Sequence, residues 1–159
     1  MSIRSTSKAI IINEGKILLN KCSDKFNGNY YSLPGGGQRQ YETMHDALIR
    51  ECLEETGYTV KPVRFAAICE EICTNEEFRI KYPGYSHKMY HIFICELTDA
   101  AVRAPTETDD MQECCEWVSV GALAGMRILP TLLGSSIYDV LSGSAPIFLG
   151  SEHIIYNHG

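Results

Sequence analysis

The chain has 159 residues, 45% of them apolar and 21% charged, with a formal net charge of −6. That is enough for one domain with a real core, and no apolar run approaches the roughly 18 residues that cross a bilayer. The acidic balance argues against a nucleic-acid polymer as partner, which needs a basic footprint, but is compatible with a small polyanion held through a divalent cation. The opening Met1-Ser-Ile-Arg-Ser-Thr-Ser lacks the apolar core of a secretory signal, so a cytoplasmic home is expected. Seven cysteines, an odd number with no CxxC pair, read as free thiols in a reducing compartment and not as a zinc site.

In chain order, residues 9–13 (AIIIN) and 16–22 (KILLNKC) read as a strand hairpin turning at Glu14-Gly15. Tyr30 to Leu33 reads as a short strand running into Pro34-Gly35-Gly36-Gly37. Thr43 then caps the clearest helix, with Asp46 three residues on and Gly57 as its natural stop. Residues 58–73 and 87–97 are rich in β-branched and aromatic side chains and read as strands, the first broken at Pro62. Residues 104–111 (APTETDDM) form a polar, acidic loop. A short strand around Trp117 (116–120), helices over 119–126 and 131–142, and a last strand at 147–149 complete a mixed α/β domain spanning 1–159.

The helix over 43–57 carries an unusual charge pattern. At about 100° per residue, Glu51, Glu54 and Glu55 fall within an arc of roughly 100°, while Ile49, Cys52 and Leu53 project from the other side. Glu51 and Glu55 form a like-charge i,i+4 pair, and Glu54 and Glu55 sit in the last turn, where the helix dipole disfavours anions. Arg50 can relieve part of this through Glu54; a hard cation with oxygen ligands would relieve more. The three glycines before the helix let backbone approach a ligand or a metal without Cβ obstruction.

Gly36, five residues, Glu42, seven residues, then Arg50-Glu51-Cys52-Leu53-Glu54-Glu55-Thr56-Gly57-Tyr58 resembles the Nudix box, G-x5-E-x7-R-E-U-x-E-E-x-G-U with U apolar. Every fixed position matches, and at average residue usage chance would produce that with a probability on the order of 10⁻⁶ or below. Leu33-Pro34-Gly35-Gly36 and Glu116-Trp117-Val118 resemble the flanking segments of that family. Two mild departures are Cys52 at an apolar position and Tyr41 where many members have glycine. The resemblance implies a Nudix-type α/β/α sandwich with a mixed sheet. It also implies hydrolysis of a pyrophosphate bond by water attack at phosphorus, with Mg²⁺ (or Mn²⁺) held by Glu51, Glu54, Glu55 and the Gly35 carbonyl. Arg50 and Glu42 would orient those carboxylates.

The general base is left open between the helix, at Glu54 or Glu55, and an acid from the 106–116 segment. Asp109, Asp110 and Glu113 are the candidates there, with Glu113 favoured because it adjoins the following strand. Arg79, Lys81 and Lys88 with Tyr82, Tyr85 and Tyr90 surround Pro83-Gly84 and offer phosphate contacts and base stacking; Arg79, Lys81 and Tyr82 are the expected substrate-binding group. His87 and His91 read as hydrogen-bonding or packing residues, and Trp117 as core. The proline that marks ADP-ribose hydrolases about 16 residues past the box is replaced by Thr74, and the coenzyme A and NADH signatures are missing. The expected substrate is therefore a small nucleoside diphosphate derivative, nucleoside triphosphates included. The alternatives are a nucleotide sensor without turnover, and a pyrophosphatase for a non-nucleotide diphosphate. The sequence leaves room for a homodimer.

Overall fold

The computed structural model describes residues 2–107 and 111–159. Its strands are β1 (Arg4–Asn13), β2 (Lys16–Asp24), β3 (Gly28–Ser32), β4 (Gly35–Gly37), β5 (Val60–Cys73), β6 (His87–Leu97), β7 (Gln112–Ser119) and β8 (Ile147–Ile154). Its helices are α1 (Met44–Thr56), α2 (Glu76–Lys81) and α3 (Thr131–Ser142). One mixed sheet runs β3-β2-β1-β6-β5-β8, with β4 also pairing β1 and β7 pairing β2. β1 lies parallel to β6, and β5 lies parallel to β8.

The apolar run of β1 is buried on both faces, as a strand with helices on either side must be. Ala9 and Ile11 point into a core shared with Leu48 and Cys52 of α1, Phe93 and Cys95. Ile10 points into a larger core with Ile92, Leu133, Ile137 and Val140, which seats α3. The arrangement is the expected α/β/α sandwich. Among the described residues no helix is long and apolar enough to cross a membrane. All seven cysteines are free thiols, five of them buried.

Helix α1 begins and ends where its capping residues dictate. The Thr43 hydroxyl accepts the Asp46 N–H at 3.0 Å, and Gly57, at φ 78°, donates its N–H to the Leu53 carbonyl at 3.0 Å. Other boundaries differ from expectation for identifiable reasons. β1 starts at Arg4 instead of Ala9 because its polar half pairs with β6 and β4. Pro62 does not break β5; a register shift between Pro62 and Arg64 absorbs the missing donor. Asn75 caps the short α2 through Phe78 N–H at 3.0 Å, in a stretch to which the sequence reading assigns no element. The segment 119–126 forms a 3₁₀ turn over Val120–Gly125 in place of an α-helix, its two glycines being poor helix formers.

Gly57 is held from outside as well. Its carbonyl accepts the Arg103 N–H at 2.8 Å, and a Cβ at Gly57 would land on the Arg103 carbonyl oxygen. Gly57→Ala should therefore destabilise the protein by more than about 1 kcal/mol, a fall in Tm of at least ~2–4 °C. Gly84→Ala, with open space around the added methyl, should be near neutral in the same melting experiment. Equal Tm values for the two variants would contradict this account of the helix end.

Candidate active site

The three glycines of β4 are each crowded by a different neighbour. A Cβ on Gly35 would strike the Ser7 carbonyl of β1; one on Gly36 would lie 2.6 Å from the Glu51 carboxyl carbon; one on Gly37 would strike the Arg4 guanidinium. The bare strip lets a carboxylate from α1 and a cation from β1 both close against backbone. Its neighbour β1 presents Arg4, Thr6 and Lys8 at alternate positions, hence on one face. Lys88 and Tyr90 of β6 stand opposite Arg4 and Thr6 in the parallel register.

Arg50 organises the acidic side. Its Nε and Nη2 donate to the two oxygens of Glu42 at 2.8 and 3.0 Å, its Nη1 to Glu51 at 2.9 Å and Glu54 at 3.3 Å, and Nη2 also to the Gly37 carbonyl at 3.1 Å. The Arg50 hydrogen bonds are the main influence on Glu42, whose carboxyl is held down at about 2. Glu55 is buried, and one of its oxygens accepts from Gly35 N–H and from the Asn20 amide, each at 3.0 Å. Neutral donors therefore orient this carboxylate. The buried Lys8 ammonium donates to the Gly35 carbonyl at 2.9 Å.

Glu51, Glu55, Lys8 and the glycine strip line one cavity of about 380 Å³. Glu51 and Glu55 form an acidic wall with Glu107; Arg4, Lys8 and Lys88 form a basic one; Tyr85, Met111 and residues 157–159 close the remainder. Arg4 lies over the Tyr85 ring at 4.5 Å, a contact that holds the guanidinium at the cavity edge.

Of the residues singled out in the sequence, Gly35, Glu51 and Glu55 meet in the cavity. Glu54 stands beside them on Arg50, and its backbone carbonyl accepts the N–H groups of Thr106 and Glu107 at 2.9 and 3.0 Å. Lys88, Tyr85 and Tyr90 also line the cavity, whereas Arg79, Lys81 and Tyr82 do not. Arg79 donates to the Cys73 carbonyl at 2.5 Å, and Lys81 covers the Tyr82 ring at 5.2 Å. His87 pairs with Glu70 at 2.8 Å and His91 lies 3.2 Å from the Thr6 carbonyl. Trp117 packs beside the α1 core and donates to the Tyr58 hydroxyl at 3.1 Å. Glu113 is exposed on β7, outside the cavity, and Asp109 and Asp110 lie outside the described residues. Sequence reading missed Arg4, Lys8, Glu107, Asn157 and His158. The alternation Arg4-x-Thr6-x-Lys8 ahead of an apolar strand was the available signal for the first two.

The donor set suits a hard divalent cation: three carboxylates and a carbonyl, all oxygen. Among the described residues no three acidic, histidine or cysteine side chains close around one metal-sized point. Positive groups do already attend this set, Arg50 on Glu51 and Glu54 and Lys8 on the Gly35 carbonyl. The bare Gly36 cradle, which a Cβ would fill, leaves the Glu51 carboxylate against the backbone beside that carbonyl.

Residues 3–136 match the NUDIX domain family. Phosphatase NudJ of Escherichia coli K12 is 27% identical over 140 residues, covering 87% of this chain and 83% of the relative. A NUDIX hydrolase from Nitrosomonas europaea superposes with a TM-score of 0.69 at 20% identity, covering 89% of this chain and 90% of that one. An ADP-ribose pyrophosphatase from Streptococcus suis superposes with a TM-score of 0.57 at 19% identity, covering 95% and 100% respectively. At such identities the structural likeness establishes the fold alone.

Because folding lowers the Glu42 pKa from 4.5 to about 2, the Glu42–Arg50 pair contributes stability that is complete above about 4.5 and is lost as pH falls toward 2. Glu42→Gln should melt below wild type at pH 7, with the gap closing across that window. A gap in Tm that is undiminished at the acid end would contradict the pairing.

Proposed function

The chain belongs to the NUDIX family, and from that premise we propose that it hydrolyses the pyrophosphate bond of a small nucleoside diphosphate derivative, nucleoside triphosphates included, with Mg²⁺ or Mn²⁺ as cofactor. The observation that carries this reading is the division of a single cavity into a carboxylate wall and a cationic wall. Such a site complements a metal-bound polyphosphate better than a neutral or a purely cationic ligand. The phosphatase name of the Escherichia coli relative supports phosphate chemistry in general. A reducing, cytoplasmic compartment suits seven free thiols.

In this reading Glu51, Glu54, Glu55 and the Gly35 carbonyl would hold the cation, while Arg50 and Glu42 fix the carboxylates that would otherwise repel one another. When bound, the cation supplies charge neutralisation at the phosphate oxygens and a lowered pKa for the attacking water. Arg4 and Lys8 meet the remaining phosphate oxygens. Tyr85, already stacked by Arg4, offers a flat face at the rim, so these three take the substrate-binding role that the sequence assigns to Arg79, Lys81 and Tyr82. Lys8 exchanges its bond to the Gly35 carbonyl for one to phosphate.

The attacking water must give its proton to a carboxylate within about 3 Å. Glu107 lines the cavity and is tied to α1 through the Glu54 carbonyl, which supports it over Glu113, outside the cavity, as the acid supplied by the loop. Glu54→Gln and Glu55→Gln should each lower kcat at least about 100-fold in folded protein, since a ligand that acts in the transition state is lost. Glu107→Gln should lose kcat yet keep its affinity for Mn²⁺, read by electron paramagnetic resonance, whereas the helix variants lose both. Wild-type turnover in both Glu107→Gln and Glu113→Gln would move the base to the helix. Near-normal turnover in both helix variants at limiting metal would sink the assignment. A panel of nucleoside diphosphate derivatives, scored for released phosphate or nucleoside monophosphate with Mg²⁺ present, identifies the substrate.

A further inference from the structure

Four ionisable side chains outside the carboxylate helix are buried together beside the same cavity, which Lys88, Tyr90 and His158 line. Glu71 is 2% exposed, His158 3%, Lys88 5% and Tyr90 2%. One Glu71 oxygen is paired with His158 Nε2 at 2.5 Å, and the other accepts the Tyr90 hydroxyl at 2.7 Å. The Lys88 ammonium donates to the His158 carbonyl at 2.9 Å and lies 3.5 Å from the Tyr90 hydroxyl. Burial opposes the charge on Glu71, but its contacts to His158, Lys88 and Tyr90 prevail and hold the carboxyl below the ordinary range.

The segment that carries His158 is also clipped from outside. The Tyr156 ring stacks on Phe26 at 5.0 Å, the Asn27 amide donates to the Asn157 carbonyl at 3.0 Å, and Gly159 N–H donates to the Tyr30 hydroxyl at 3.2 Å. A buried ionic cluster is an inefficient way to close a core, because apolar residues of similar volume serve stability as well or better. This cluster fixes something more specific, namely where Lys88 stands and where the cavity stops. With the segment in place the cavity measures about 380 Å³, near the lower end of the roughly 300–1,000 Å³ range of small-molecule sites.

We propose that residues 157–159 are a fixed wall of the substrate pocket, locked by the Glu71–His158 pair. His158 is thereby a positioning and specificity residue that holds Lys88 at the phosphate end and excludes longer substrates. The proposal rests on the hydrolytic reading above for its choice of substrates, and on the geometry alone for the wall itself. Removing the imidazole frees the segment, lets Lys88 move and lengthens the cavity; phosphate affinity falls while discrimination against extended substrates relaxes. Turnover is affected less than binding, since the carboxylates given to the cation and the proton lie on α1 and at Glu107.

The test uses the full chain and two probes. Methylenebisphosphonate, a non-hydrolysable diphosphate, is titrated calorimetrically with Mg²⁺ present. Hydrolysis of a nucleoside triphosphate is compared with that of a dinucleoside tetraphosphate. His158→Ala should weaken the bisphosphonate about 10-fold and raise KM for the triphosphate by a larger factor than kcat falls. It should also shift the ratio of kcat/KM toward the longer substrate by at least about 5-fold. His158→Gln, which keeps a donor toward Glu71, should recover most of each change. Folded His158→Ala with unchanged bisphosphonate affinity and substrate ratio would overturn the proposal, as would a loss confined to kcat. Should His158→Ala fail to fold, Tyr156→Ser removes only the exposed clip. The same shifts, smaller in size, would support the wall, and their absence would refute it. A wild-type chain that binds the bisphosphonate but hydrolyses neither nucleotide would defeat the hydrolytic reading, while the bisphosphonate series would still decide the wall.

Discussion

One guanidinium, that of Arg50, holds three carboxylates and a strand carbonyl, and the order of Glu42, Glu51 and Glu54 depends on it. Its forked donors reach Glu42 bidentately, Glu51 and Glu54 singly, and the Gly37 carbonyl of the glycine strip. A lysine at this position has one charged point and no fork, and could not span the same set. Without the fork, Glu51 and Glu55 repel along the helix and Glu54 and Glu55 face an unfavourable dipole. With it, the loop carrying Glu42, the helix and β4 are locked together. One positive charge does not neutralise the whole acidic set, and the deficit is what a divalent cation would fill.

The basic side of the cavity follows from the sheet. Because β1 and β6 run parallel in register, Arg4 and Lys88 stand opposite each other, as do Thr6 and Tyr90. Alternation along β1 then adds Lys8 on the same face. The same strand changes from polar to apolar at Ala9, so one element supplies the pocket floor at its start and both cores at its end. Acidic and basic walls thus meet across a strip without side chains. This allows a chain of net charge −6 to present three cations to a small anion.

How much of this was legible in the sequence depended on whether the determinant was local. The α1 helix could be read to its caps because Thr43 and Gly57 act within four residues of their partners. The strands of the apolar core could be read from composition. By contrast, Arg4 and Lys8 become site residues only through pairing with strands more than 25 residues away, and the strand appeared to begin at its first apolar residue. Proximity in sequence groups Lys88 with Arg79 and Lys81. The register of β6 separates it from them and buries it against His158. His158 itself carries no local signature; its role comes from a contact with Glu71, 87 positions earlier. Glu107 shares its composition with the rest of an acidic loop, and only its hydrogen bond to the helix marks it.

On the proposed function, the cavity between these walls breaks a phosphorus–oxygen–phosphorus bond with water under divalent metal. Phosphorus-31 NMR of the reaction in ¹⁸O-enriched water tests this directly, using the best nucleoside diphosphate derivative. The substrate's own anhydride resonances should be lost only when Mg²⁺ or Mn²⁺ is present, with one ¹⁸O atom entering one of the two phosphate-bearing products. Persistence of the substrate's anhydride resonances, or phosphate released from an ester while the substrate's anhydride stays intact, would contradict this reading.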